Sequence, residues 1–203
     1  MDLSNSQEVI LALRQRLGPI KRAGLLKDEQ QKHYPSARNA SVLIGLFDEN
    51  NEIYISFIRR ASTLRAHSGE IAFPGGAADE SDVSPIVTAL REAQEEIGLA
   101  PSRVEALGIM SPVFTVVSNF LITPVVAYLP EGPGTLQLQL SEVAEIIFLP
   151  LQGLADPEIY HTEQWVRDDV LHTVNFFDYG SYRIWGATAR MLIMLLELLR
   201  DAY

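Results

Sequence analysis

The sequence contains no cysteine, which excludes disulfide bonds, thiolate metal sites and a cysteine nucleophile. It has no apolar run of the roughly 18 to 20 residues that a membrane-spanning helix needs. Its first residues, Met1–Ser4, also lack the basic and then apolar layout of a signal peptide. These absences are compatible with a reducing compartment, and we predict a cytoplasmic protein with no membrane partner.

Positive charge is scarce in this chain. Its 16 Lys and Arg residues face 26 Asp and Glu residues, so the formal net charge is −10 at pH 7. Such an acidic protein is not expected to bind nucleic acid or anionic membrane surfaces. A substrate rich in phosphate would therefore need a local cluster of basic side chains.

The length and composition allow one well-packed core. With 203 residues, of which 47% are hydrophobic, the chain suits one domain with an added segment. Apolar residues between Ser6 and Leu17 recur at helical spacing, and a polar connector follows. We therefore predict an N-terminal helix and connector over residues 1–37 and a main domain over residues 38–203 that ends in an apolar helix near Leu199.

Residues 85–97 carry the local signals of a helix. Ser84 is a good N-cap, and Pro85 suits the first helical position because its missing N–H is not needed there. Gly98 stands where helices commonly end in a left-handed residue. The apolar residues follow a three-and-four spacing, which places one face of this predicted helix against a core.

Three glutamates of this helix, Glu92, Glu95 and Glu96, share an arc roughly 100° wide. Like charges at this spacing repel each other, and a solvated acidic face is the ordinary explanation for them. The alternative is a site for Mg²⁺ or Mn²⁺, in which carboxylate oxygens hold the ion against a substrate phosphate. Two features favour the metal site: Arg91 adjoins the glutamates, and the glycine turn at residues 73–76 lies just upstream.

Two arginines lie near the glycine turn. Arg60 stands at the end of the strand predicted from residue 53, and Arg65 follows five residues later. Arginines at strand ends are usually solvated, but a planar guanidinium also matches phosphate oxygens in bidentate fashion. We expect Arg60 and Arg65 to bind substrate phosphate, and we expect a structural hydrogen bond for the nearby His67.

The stretch Arg91–Leu99 reads Arg-Glu-Ala-Gln-Glu-Glu-Ile-Gly-Leu and resembles the second half of the Nudix hydrolase box at every fixed position. The first half departs from the box, because Gly76 and Arg91 are one residue too far apart and Asp82 stands in place of the first glutamate. For Asp82, a supporting role at the site and an ordinary loop carboxylate both stay open.

The coenzyme A pyrophosphatase branch of the Nudix family is similar in both departures. The chain also matches the upstream signature of this branch with all spacings kept, at Arg60-Ala61, Arg65, Gly69 and Phe73-Pro74-Gly75-Gly76. The resemblance implies an α/β Nudix fold, in which a mixed β-sheet is sandwiched between helices, with helices added at the N- and C-termini.

The resemblance further implies metal-dependent hydrolysis of coenzyme A or its derivatives to 3′,5′-ADP and 4′-phosphopantetheine or its acyl form. The expected ligands of Mg²⁺ or Mn²⁺ are Glu92, Glu95 and Glu96. Gly75 and Gly76 are expected to approach the substrate through their backbone, as Arg60 and Arg65 do through their side chains. The expected catalytic residues are Arg91, which orients a glutamate, and Glu95 or Glu142, which accepts the proton of water.

Two alternatives stay open from the sequence. One is a Nudix hydrolase of another nucleoside diphosphate, such as ADP-ribose or NADH. The other is a Nudix module that binds a nucleotide without catalysis. The expected partner is a small molecule in each case, and a homodimer is possible.

Outside these motifs, the pattern predicts further strands, a half-buried strand at residues 136–140 and a loop near the pocket at residues 154–169. The other predicted strands cover residues 41–47, 53–58, 69–73, 104–109 and 121–129, and a hairpin joins residues 173–177 to 182–185.

Overall fold

The computed structural model describes residues 3, 5–17, 31–62, 68–167 and 169–200. Within these residues, eight strands form one mixed sheet around the central strand β1. β1 pairs antiparallel with β2 and parallel with β7. The strands of this sheet are β1 (Arg38–Glu49), β2 (Glu52–Arg60), β3 (Ile71–Ala72), β4 (Gly75–Ala77), β5 (Glu105–Ile109), β6 (Val113–Thr115), β7 (Phe120–Tyr128) and β8 (Val143–Pro150).

The glycine turn enters the sheet beside the first half of β1. Ser41 pairs with Gly76 and Val42 with Gly75, whereas the second half of β1 pairs with β2. A Cβ atom at Gly75 would collide with the carbonyl oxygen of Ser41 and lie 2.6 Å from the Cα of Val42. Only glycine allows this close backbone approach, which holds the turn against the middle of the sheet.

Helix α2 spans Pro85–Ile97, which confirms the predicted helix and both of its ends. The Ser84 hydroxyl accepts a hydrogen bond from the Val87 N–H at 3.3 Å. Gly98 takes the left-handed conformation, with φ of 70°, and its N–H reaches the Gln94 carbonyl at 3.0 Å. These local signals therefore determine the limits of the helix that carries the three glutamates.

Side chains alternate along β1 between two hydrophobic cores. Leu43 packs with Ala89, Ala93 and other buried residues of α2 on one face of the sheet. Ile44 faces the opposite side, in a core shared with both terminal helices. The sheet is therefore sandwiched between helices, which confirms the predicted fold class.

The terminal helices are α1 (Ser6–Arg16) and α4 (Gly186–Arg200), and a one-turn helix α3 covers Leu151–Leu154. Leu13 of α1 and Leu195 of α4 are fully buried in the same core. This result confirms the added helices at both ends of the chain. None of the helices in the described ranges combines the length and apolar character that crossing a membrane requires.

The prediction of a loop at residues 154–169 is wrong, because most of this segment belongs to a second sheet. A short 3₁₀-helix at Pro157–Ile159 leads into β9 (Tyr160–Arg167), which pairs with β10 (Val170–Tyr179). β10 pairs in turn with β11 (Tyr182–Trp185), as the predicted hairpin requires. Most side chains of β9 are exposed, so the strand lacks the apolar alternation that would reveal it.

The prediction of a half-buried strand at residues 136–140 is also wrong. This segment stays outside the sheet and runs along the end of α2 instead. Gln137 donates its backbone N–H to the Ile97 carbonyl, and Gln139 donates to the Glu96 carbonyl, both at 2.9 Å. The last carbonyls of a helix lack partners within it, and here they take the N–H groups that a strand would use.

Candidate active site

Glu96 is the most buried charged side chain of the glutamate cluster, with only 2% of its surface exposed. Its Oε2 accepts the Gly75 N–H at 2.9 Å, and its Oε1 lies 3.8 Å from Nη1 of Arg60. Burial raises the pKa of Glu96 to about 7, although the Gly75 N–H and the Arg60 charge both act to lower it. The glycine turn and Arg60 therefore supply the polar surroundings of a carboxylate that water barely reaches.

The Glu92 carboxylate lies directly over Gly76. A Cβ atom at Gly76 would stand 2.5 Å from Cδ and Oε2 of Glu92, so only a glycine leaves room for the carboxylate. The side chain is 15% exposed, and burial raises its pKa, while the hydrogen bond from Arg91 lowers it. Glu92 and Glu96 thus contact the two consecutive glycines of the turn.

Arg91 connects the helix to the loop before it. Its Nη1 donates to Glu92 at 3.0 Å and to Glu95 at 3.1 Å. Its Nη2 donates to the Ala77 carbonyl and to Asp82 Oδ2, both at 2.9 Å. Arg91 therefore offsets the repulsion between neighbouring glutamates and fixes the direction of Glu92.

Asp82 accepts hydrogen bonds from Arg91 and holds its guanidinium in place. Besides the arginine, it accepts the backbone N–H of Asp79 at 2.9 Å. The hydrogen bond from Arg91 is the main reason that the pKa of Asp82 falls to about 2. The structure therefore gives Asp82 a supporting place at the site. The Ala77 carbonyl, which also holds Arg91, had no signal in the sequence because backbone acceptors carry none.

Glu142 comes from a different part of the chain and is held there by backbone hydrogen bonds. Its carbonyl accepts the Ala61 N–H at 2.8 Å, and its own N–H donates to the Gln139 carbonyl at 2.9 Å. These bonds place Glu142 between the end of β2 and the segment that runs along α2. Its charge raises the pKa of both Glu92 and Glu96, as expected for an acidic group nearby.

The structure describes only one of the two arginines that we expect to bind phosphate. Arg60 lies beside Glu96, and its buried Nε has no hydrogen-bond partner among the described residues. Arg65 and His67 lie outside the described residues, so our expectations for them stay predictions.

The cluster can be tested for its fit to a divalent cation. In the part of the chain that the structure describes, no three acidic or histidine side chains converge as a metal site. Glu95 is 60% exposed and turns toward Arg91. Glu92 and Glu96 nevertheless offer the hard oxygen donors that suit Mg²⁺ or Mn²⁺, beside a glycine that leaves room for Glu92. The donor chemistry fits, with Glu92 and Glu96 as the two carboxylates at the glycine turn.

Comparison with known proteins matches this chain to one family. A family model described as the NUDIX domain matches residues 37–169. The uncharacterized Nudix hydrolase NudL of Photorhabdus laumondii is 38% identical over 160 residues, which cover 79% of this chain and 84% of the relative. The peroxisomal coenzyme A diphosphatase NUDT7 of Mus musculus is 34% identical over 166 residues, which cover 79% of this chain and 70% of the relative.

A solved structure shows the same fold. The MutT/nudix family protein from Enterococcus faecalis superposes with a TM-score of 0.55 at 16% sequence identity, over 99% of this chain and 76% of that one. The fold and the site define a mixed β-sheet domain with a carboxylate cluster on one helix. The chain belongs to the Nudix hydrolase family.

Proposed function

We propose that this Nudix hydrolase cleaves the pyrophosphate bond of coenzyme A or a coenzyme A derivative. The products are 3′,5′-ADP and 4′-phosphopantetheine or its acyl form. A relative named a coenzyme A diphosphatase, at 34% identity, supports this choice, while the NudL relatives are uncharacterized. The signature that links Arg60 to the glycine turn supports it independently.

One observation carries the chemical part of the proposal: Glu92 and Glu96 meet the glycine turn beside Arg60. Mg²⁺ or Mn²⁺ held by Glu92 and Glu96, with Glu95 as a further donor, would polarise a phosphate oxygen and acidify water. The backbone at Gly75 and Gly76 and the side chains of Arg60 and Arg65 bind the substrate in this proposal.

Glu142 and Glu95 are the two carboxylates that we propose for accepting the proton of the attacking water. Glu95 already accepts a hydrogen bond from Arg91, and 60% of its side chain is exposed to solvent. The charge of Glu142 acts on both Glu92 and Glu96 from a separate segment, so we favour Glu142 as the general base. Arg91 keeps a positioning role through its bond to Glu92.

A comparison of substrates tests the proposal. The purified protein is incubated separately with coenzyme A, ADP-ribose and NADH, with Mg²⁺, Mn²⁺ or a chelator, and the products are identified by chromatography and mass spectrometry. We expect 3′,5′-ADP from coenzyme A at the highest rate, and only with metal. Cleavage of ADP-ribose or NADH alone would contradict the proposed substrate while keeping the hydrolase chemistry.

The cytoplasmic location and the possible homodimer are part of the same proposal. Cell fractionation tests the location. Sedimentation of the purified protein tests the homodimer.

A further inference from the structure

Arg60 and Glu96 form an ion pair whose geometry is poor for the arginine. The Nη1 to Oε1 distance is 3.8 Å, which is too long for a hydrogen bond. The arginine Nε is buried and has no hydrogen-bond partner among the described residues. Among the described residues, Arg60 is thus held near Glu96 by charge, without the directional side-chain bonds that usually fix a guanidinium.

Glu96 needs a positive charge close by. A buried carboxylate loses its hydration, and an ionised one is tolerated only beside a counter-charge or strong hydrogen-bond donors. The Gly75 N–H supplies one bond at 2.9 Å, and the Arg60 guanidinium places its Nη1 at 3.8 Å from the other carboxylate oxygen. A divalent cation at the same carboxylate would satisfy this requirement better, because its charge is greater and carboxylate oxygens coordinate it directly.

We propose that Arg60 is an exchangeable counter-ion: it neutralises Glu96 in the metal-free protein and is released to bind substrate phosphate once a divalent cation occupies that position. This inference rests on the proposed function, and it adds an order of events. The cation binds first, and its binding makes the guanidinium of Arg60 available for bidentate contact with phosphate oxygens.

Two other arginines near the site, Arg91 and Arg59, are held by hydrogen bonds and cannot act as exchangeable counter-ions of Glu96. Arg91 donates hydrogen bonds to Asp82, Glu92 and Glu95. Arg59 donates to Glu145 at 2.9 Å and lies over the ring of Tyr182, in contact with the second sheet.

Arg60 differs from both arginines, because its guanidinium is beside the glutamate cluster and makes no such hydrogen bond to a side chain of the described residues. Arg60 is the last residue of β2, and it pairs with Val143 of β8 after a shift of register between Arg59 and Arg60. The proposed exchange moves the side chain of a residue at the end of a strand.

The test uses Mn²⁺ alone, with no substrate. The Mn²⁺ dissociation constant is measured by calorimetry, and the melting temperature is measured with and without saturating Mn²⁺. The variants are Arg60→Met, which removes the counter-ion, and Arg60→Lys, which keeps its charge. Arg59→Met is the matched control, since it removes one charge from the adjacent residue. Arg60→Gln serves for the same measurement should the methionine variant fail to fold.

We expect Arg60→Met to bind Mn²⁺ about fivefold more tightly than the wild type, because the cation no longer displaces an ion pair of roughly 1 kcal/mol. Without metal, the melting temperature of Arg60→Met should be about 2–4 °C lower than that of the wild type. With saturating Mn²⁺, the two proteins should have the same melting temperature. Arg60→Lys should bind Mn²⁺ with nearly the wild-type dissociation constant. Arg59→Met should leave the Mn²⁺ dissociation constant unchanged. In steady-state assays with Mn²⁺, Arg60→Met should raise KM more than it lowers kcat.

Unchanged Mn²⁺ affinity and unchanged metal-free stability in Arg60→Met would overturn the inference and leave the proposed function intact. An equal gain of affinity in Arg59→Met would also overturn it, because the effect would then come from net charge. Absence of Mn²⁺ binding in every protein, the wild type included, would instead overturn the proposed function and the inference with it.

Discussion

Replacing Gly76 with alanine should disturb the active site without preventing the protein from folding. The new methyl carbon would stand 2.5 Å from Cδ and Oε2 of Glu92, and 2.7 Å from Oε1. Ordinary contacts of this kind need at least about 3.4 Å, so the carboxylate must move by roughly 1 Å. The atoms in the way belong to the end of a flexible side chain, and the backbone of Gly76 lies outside the left-handed region. The protein should therefore fold and misplace Glu92.

A displacement of this size at a reacting centre costs about 100-fold in rate. We expect Gly76→Ala to lose about 100-fold in kcat/KM for coenzyme A, measured with saturating Mg²⁺. Its melting temperature should fall by no more than about 3 °C. Gly153→Ala is the matched control, since its Cβ would lie 2.7 Å from Cε2 of Tyr179, away from the glutamate cluster. Full activity of Gly76→Ala would refute the placement of Glu92 in the catalytic site.

Two further predictions concern stability. The folded-state pKa of Asp82 is lowered from 3.8 to about 2, mainly by Arg91, so its stabilisation is present above 3.8 and disappears as pH falls through about 2. Asp82→Asn should therefore lose roughly 2 kcal/mol at neutral pH, and urea unfolding should show its difference from the wild type shrinking between pH 3.8 and 2. Equal differences at both ends of that range would contradict the pairing. Leu195→Ala removes a fully buried side chain of α4 and should cost about 2–5 kcal/mol in urea unfolding, without lowering kcat of the folded protein.

The helix of the site could be predicted because its signals are local. Ser84, Pro85 and Gly98 act through backbone groups a few residues away, and the structure has the helix over the predicted residues. The central strands β1, β2 and β7 were also predictable, since buried strands leave a continuous apolar pattern, whereas β8 was not among the predicted strands. In contrast, β9 is mostly exposed, and no pattern of burial marks it in the sequence.

The different surroundings of the three glutamates could not be predicted. Helical spacing places them on one arc, yet Glu96 is 2% exposed while the Glu95 side chain is 60% exposed. The difference arises because the glycine turn, which precedes the helix in the chain, packs against Glu96 and leaves Glu95 beside Arg91. The place of residues 136–140 was missed for a similar reason, since their partners are the last carbonyls of a helix.

The central claim is that the carboxylates at the glycine turn would hold the divalent cation that hydrolysis of coenzyme A requires. The most direct measurement is the rate of 3′,5′-ADP release from coenzyme A by Glu96→Gln, with Mg²⁺ and with a chelator. Glu105→Gln is the matched control, because this glutamate pairs with Arg14 on the surface, with 47% of its side chain exposed. We predict that Glu96→Gln folds and loses at least about 100-fold in kcat, while Glu105→Gln keeps the wild-type rate. Metal-dependent release at the wild-type rate by a folded Glu96→Gln would contradict the claim.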